Sequence, residues 1–139
     1  GKGNFHLFRN LINPEVPNMG FIGYNSSLFC PLTSEIGAWW LAEYATGKLV
    51  LPSLSQMNQE IDIHLNWSMD NIPPAFAYGT CVSPFGFHYL EDLIEDMGFN
   101  IFGKGGKAIQ GIMERIKPSA YQQIRDSLRR KKPLSIKKI

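Results

Sequence analysis

The chain is 139 residues long, 44% hydrophobic and 19% charged, with a formal net charge of +2. That length gives room for one domain burying about two-thirds of its unfolded surface, and the balance excludes a disordered or collagen-like chain. The charge is uneven: residues 125–139 hold seven Lys and Arg against Asp126 alone, while residues 1–124 hold seven against eleven acids.

Residues 5–12, "FHLFRNLI", mix apolar and basic side chains and predict a short strand, which the two prolines of "NPEVPN" break. Residues 19–24, "MGFIGY", form an apolar run bounded by turn residues, the pattern of a buried strand. "NSSLFCPL" follows as a loop. Thr33 or Ser34 then caps a helix in which Ile36, Trp39, Trp40 and Tyr44 recur at helical spacing, and Gly47 ends it. A second helix follows Pro52, with Ser53 and Gln56 at capping-box spacing and Met57, Ile61 and Leu65 on one face.

After the loop "DNIPPAFAYGT", Ser83-Pro84 resembles an N-cap with proline at the first helical position. Leu90, Leu93, Ile94 and Met97 make an i, i+3, i+4, i+7 stripe, the carboxylates of 91–96 read as a solvated face, and Gly98 closes the helix. "GFNIFGKGGKAIQG" is glycine-rich and irregular. A last helix is expected from Ser119 to about Arg130, with Tyr121, Ile124 and Leu128 inward. The segment therefore reads as mainly helical with one or two short strands. Because a lone strand is marginal in water, the rest of its sheet is expected outside this chain.

Most familiar chemistry is missing. Cys30 and Cys81 form no C-x-x-C pair, so reduced thiols in a cytoplasmic setting are the default. His6, His64 and His88 are too scattered for a metal site. "GYNSSL" fails the G-x-S-x-G pattern of serine hydrolysis, and "GKGG" at 103–106 lacks the strand before and helix after that a phosphate loop needs. The Ala45-Thr46-Gly47 triplet reads as a helix end. The longest uncharged run, 16–34, is interrupted by Pro17 and Pro31 and cannot span a membrane. "RRKKP" is a weak import-like patch, and a basic segment of this kind is most often simply solvated.

One stretch does suggest a ligand. Gly20 and Gly23 permit close backbone approach, and the polar loop of Asn25, Ser26 and Ser27 follows the carboxyl end of the expected strand. The helix behind it would turn its positive end to the same place, suiting an electron-rich group. Plain strand-loop-helix packing accounts for the same residues.

"LFRNLINPEVPNMGFIGYNSSLFCPLTSEIGAWWLAEYATGKLVLPSLSQMNQEI" resembles the C-terminal part of flavin-containing monooxygenases. The likeness rests on Leu7-Phe8-Arg9, the Asn13-Pro14…Pro17-Asn18 turn, Phe21-Ile22-Gly23, a helix with Ala38-Trp39, and Leu51-Pro52-Ser53 with Met57. It covers residues 5–65 well and 80–100, with "SPFGFHYLEDLIEDMG", more loosely. It implies a slice of a longer α/β protein with Rossmann-like FAD- and NADP-binding domains. In that family NADPH reduces the flavin, O2 adds to it, and a C4a-(hydro)peroxyflavin oxygenates a small organic substrate. By position, Asn25, Ser27, Cys30 and Thr33 fall where the family places flavin-contacting loop residues; Cys30 stands where a hydroxyl residue would donate a better hydrogen bond. Neither dinucleotide fingerprint nor the F-x-G-x-x-x-H-type segment is present, so the chain alone is expected to be inactive and to depend on N-terminal FAD and NADP domains.

The resemblance implies a division into 1–68 (slice of the FAD domain), 69–102 (loop and amphipathic helix) and 103–139 (glycine-rich segment, helix and basic segment). It also implies exposed apolar surface around Phe21, Ile22 and the Trp39/Trp40 helix. A different reading is a small non-enzymatic helical module whose basic segment meets a protein or nucleic acid.

Overall fold

The computed structural model describes residues 5–24, 30–71, 87–100 and 117–130. The chain divides into two compact units, Gly1–Gly98 and Phe99–Ile139. Among its described residues the first contains three helices: α1 (Cys30–Ala45), α2 (Leu54–Asn71) and α3 (Phe87–Asp96). The second contains a 3-10 turn, Pro118–Tyr121, running into α4 (Gln122–Arg130).

No extended strand forms among the described residues. Residues 7–12 instead make a tight hairpin in which Phe8 and Ile12 exchange both backbone hydrogen bonds, at 2.8 and 3.2 Å. Arg9 and Asn10 occupy its tip at φ 53° and 50°, the left-handed pair that a type I′ turn requires. The expected strand over 19–24 contributes one bridge, Ile12 to Gly20, and one further bond, from Phe21 N to Leu11 O at 2.8 Å. The hairpin offers no further edge for a ladder, and Gly23, at φ 72°, turns the chain away. Gly20 is small because α1 lies against it: a Cβ there would stand 2.6 Å from Leu41 Cδ2.

α1 begins earlier than its sequence suggests. It starts at Cys30, so Thr33 sits inside the first turn and is no cap; its hydroxyl donates back to Cys30 O at 3.1 Å. Pro31 is accommodated because a first-turn residue has no intrahelical acceptor for the N–H that proline lacks. At the other end Gly47, φ 69°, donates to Tyr44 O and Lys48 N to Glu43 O, both at 2.9 Å, which closes a Schellman motif.

α2 is capped as its spacing predicts. Ser53 N reaches Gln56 Oε1 at 3.0 Å and Gln56 N reaches Ser53 Oγ at 3.3 Å, so two end donors are satisfied reciprocally. Met57, Ile61 and Leu65 are buried on one face, with Ser68 continuing it. α3 carries the stripe of Leu90, Leu93, Ile94 and Met97, all buried, and packs on α1. In the second unit Tyr121 and Ile124 are buried and Leu128 is half-buried. The cap expected at Ser83-Pro84 lies outside the described residues.

The inner side of α2 carries a pH-sensitive cost. His64 Nε2 and Ser68 Oγ, one turn apart, are buried without a hydrogen-bond partner among the described residues. Burial lowers the His64 pKa below its ordinary 6.5, keeping the folded imidazole neutral. The unfolded chain therefore binds the extra proton first as pH falls. Stability should decline from pH 6.5 down to the depressed folded value and then level off. Denaturant titrations of wild type and His64→Gln across pH 5 to 7.5 should show this slope in wild type and a shallower one in the variant.

Candidate functional site

The stretch expected to meet a ligand, 25–29, lies outside the described residues, but both of its flanks are described. On its entry side Tyr24 packs edge-on against Phe5, ring centroids 4.5 Å apart, and lies 5.7 Å from Phe21. On its exit side α1 starts directly at Cys30, so the positive end of a sixteen-residue helix lies where the loop finishes. Gly23 presents bare backbone at φ 72°, with Ser34 Oγ 3.5 Å from where a Cβ would stand. Of the four residues expected to face a flavin, Asn25 and Ser27 lie outside the described residues. Cys30 is a half-buried thiol, outside any disulfide, at the first helical position. Thr33 is 1% exposed, and the bond from its hydroxyl to Cys30 O stiffens the turn that carries the thiol. The described flanks thus bring a positive helix end, a side-chain-free backbone position and a small polar side chain to the two ends of the stretch 25–29.

The described residues also hold a polar clamp that was not read from the sequence. The Arg9 guanidinium grips Asp96 with two bonds, Nε to Oδ2 at 2.9 Å and Nη2 to Oδ1 at 3.1 Å. Its Nη1 lies 3.3 Å from both Asp92 Oδ2 and Glu60 Oε2, so one cation joins the hairpin to α2 and α3. Asp96 Oδ2 also accepts from Trp40 Nε1 at 2.9 Å, which brings in α1. Arg9 lies over the Phe8 ring at 4.8 Å, and Trp40 stacks on Tyr44 at 5.7 Å. The carboxylates of 91–96 are thus only partly a solvated face: Asp96 is engaged twice and its side chain is 20% exposed.

The electrostatics follow from this crowding. Burial works against the charged form of Arg9, but the Asp96 hydrogen bond and the charges of Asp96, Asp92 and Glu60 outweigh it, and its pKa rises. Asp92 is pushed above its ordinary value by burial; Arg9 opposes that shift, and Asp96, Glu60 and Glu95 add to it. The clamp has no vacant nucleophile and no metal geometry, and no metal-holding group of His, Cys, Asp and Glu occurs among the described residues. Its work is mechanical: it fixes the hairpin, whose Leu11 and Ile12 in turn hold Gly20 and Phe21 at the foot of the loop.

The signal for the clamp was present in the charges. Asp92 and Asp96 stand four apart on one helix, a like-charge pair that weakens a helix unless a cation bridges it. The apolar surface around 19–22 is also informative: Met19 and Ile22 are 53% and 58% exposed, Phe21 is half-buried, while Trp40 is fully covered and Trp39 half-covered.

Known proteins share this sequence over most of its length. It is 32% identical over 128 residues to the probable flavin-containing monooxygenase 1 of Arabidopsis thaliana, a match covering 89% of this chain and 22% of that protein. The putative flavin-containing monooxygenase 2 of the same plant is 34% identical over 97 residues, 68% of this chain and 20% of that one. The FAD-dependent monooxygenase DEP4 of Alternaria brassicicola is 29% identical over 97% of this chain and 24% of its own length. The chain therefore spans between a fifth and a quarter of the length of these curated relatives. No protein-family model and no solved structure matches it significantly.

Proposed function

Because the chain belongs by homology with the flavin-containing monooxygenases, matching about a fifth of their length, we propose that it forms the C-terminal slice of such an enzyme and supplies one wall of the FAD site. The observation that carries this is the 32% identity running through 89% of the chain. The exposed apolar run at Met19 and Ile22 supports it, because a segment of this kind is covered when further strands of an α/β sheet lie beside it.

When bound, FAD would supply the redox chemistry of inserting oxygen from O2 into a small organic substrate, with NADPH as the reductant. The residues of this chain have holding roles. Asn25 and Ser27 offer polar side chains to the ring edge, and Cys30 a thiol at the positive end of α1. Thr33 braces that turn through the Cys30 carbonyl. Gly23 lets backbone approach where a side chain would intrude. Phosphate binding and hydride delivery fall to partner domains carrying the dinucleotide fingerprints, with the cytoplasm as the compartment.

Two preparations test the reading. The chain purified alone should carry no stoichiometric flavin absorbance and should not oxidise NADPH. A chimera in which it replaces the matching segment of the Arabidopsis probable flavin-containing monooxygenase 1 should retain flavin and oxidise NADPH, and Cys30→Ala in that chimera should lower flavin occupancy. Full flavin loading of the isolated chain would overturn the proposal. So would a folded chimera that binds flavin equally well with Asn25, Ser27 and Cys30 all replaced by alanine.

A further inference from the structure

We infer that Asp96 is a positioning residue for the flavin wall, its carboxylate fixing how the two flanks of residues 25–29 lie against each other. Its role rests on the flavin reading and deepens it. Residues 20–23 run along α1 with glycines at the points of contact. A Cβ on Gly20 would stand 2.6 Å from Leu41 Cδ2, one on Gly37 3.0 Å from Leu11 Cδ2, and one on Gly23 3.5 Å from Ser34 Oγ. The entry flank therefore meets α1 as bare backbone from Leu41 down to Ser34. Contacts of this kind hold a separation but carry little direction, so one element is free to slide along the other.

Direction comes from α3. Asp96 Oδ2 accepts from Arg9 Nε and from Trp40 Nε1, both at 2.9 Å, while Oδ1 accepts from Arg9 Nη2 at 3.1 Å. One donor belongs to the hairpin, whose Leu11 O accepts from Phe21 N at 2.8 Å. The other belongs to α1, whose first residue is Cys30. A single carboxylate thus addresses both flanks, and the arginine fork fixes orientation as well as distance. Asp92 and Glu60 reach Arg9 through Nη1 at 3.3 Å and so bear on the hairpin, not on Trp40 Nε1. The lever is long: Cys30 lies about 15 Å along the axis from Trp40, so a tilt of about 5° would carry it about 1 Å. A shift of that size in a positioning group costs a reaction about a hundred-fold. Asp96 acts through the two flanks and does not have to touch the flavin.

Hydrogen exchange on the chain and flavin spectroscopy on the chimera test this separately. Asp96→Asn keeps one acceptor oxygen but loses the two-point grip on Arg9. In the chain, exchange should then speed about ten-fold at the Phe21 amide and at the amides of 34–36, with those of 61–65 in α2 unchanged. In the chimera loaded with FAD, the same variant should alter the visible circular dichroism of the bound flavin and release FAD about ten-fold faster. Met57→Ala, which opens a cavity under α2, should lower Tm and move neither flavin readout. Where Asp96→Asn does not fold, Trp40→Phe, which removes only the N–H, carries the test: exchange should speed at 34–36 and the flavin signal should shift. Faster exchange at one flank only or equally throughout α2 under Asp96→Asn would overturn the inference. So would a flavin signal that Asp96→Asn leaves unmoved, or that Met57→Ala moves as far; in these cases the flavin reading stands. A chimera that holds no FAD would overturn that reading, and the role of Asp96 with it.

Discussion

Trp40→Ala is expected to lower the unfolding free energy of the chain by about 3–5 kcal/mol, the range for deleting a large buried aromatic. Trp40 has no exposed surface, packs between the rings of Phe8 and Tyr44, and supplies one of the two donors that satisfy Asp96 Oδ2. Alanine leaves a cavity between the hairpin, α1 and α3 and takes a hydrogen bond from a carboxylate. Trp40→Phe separates the two effects. It keeps most of the ring volume and removes the N–H, so its cost should fall to about 1–3 kcal/mol. Both values come from guanidinium denaturation monitored by circular dichroism at 222 nm. A loss under about 1 kcal/mol for Trp40→Ala would mean that this residue does not anchor the core.

The clamp gives the second large effect. Asp96→Ala should cost about 2–3 kcal/mol, below the range for a fully buried pair because both side chains keep some contact with water. It leaves Arg9 with weaker contacts to Asp92 and Glu60 and leaves Trp40 Nε1 without its acceptor. Asp96→Asn should cost less, because its amide oxygen still accepts from Trp40. Arg9→Ala exposes three carboxylates to one another, and combining it with Asp96→Ala should cost less than the two single changes added, by about 1–2 kcal/mol. Strict additivity in that cycle would show that the bidentate contact contributes nothing. High salt should narrow the difference between wild type and Arg9→Ala, since the carboxylates that remain repel one another through partly solvated space.

The helices were legible wherever one local rule decided them. Leu90, Leu93, Ile94 and Met97 announce α3 by spacing alone, Ser53 and Gln56 announce the start of α2, and Gly47 announces the end of α1. The start of α1 was not legible, because Pro31 is read as a breaker from sequence and as a first-turn residue from structure, and spacing does not separate the two. The strand expected over residues 19–24 failed for a different reason. Its apolar pattern is genuine, but a strand exists only with a partner, and within the described residues that run finds a single bridge. The clamp was hidden because its members lie far apart in sequence. No periodicity joins Arg9 to Asp96; only the unbalanced charges of α3 hinted that a cation was needed. Of the candidate site, the sequence pointed to Gly23, while the commitment of the Thr33 hydroxyl to Cys30 required coordinates.

The ion pair between Arg9 and Asp96 spans 87 positions, and that separation has a kinetic meaning. Contacts so distant along the chain form only after a large loop has closed, whereas α2 and α3 assemble from neighbours. The clamp is therefore expected to form late, after the chain has crossed its folding barrier. Removing it should leave the refolding rate nearly unchanged and speed unfolding. Arg9 acts as a latch on the finished molecule, setting how long the hairpin and the contacts of Leu11 and Ile12 with Gly20 and Phe21 stay in place once built.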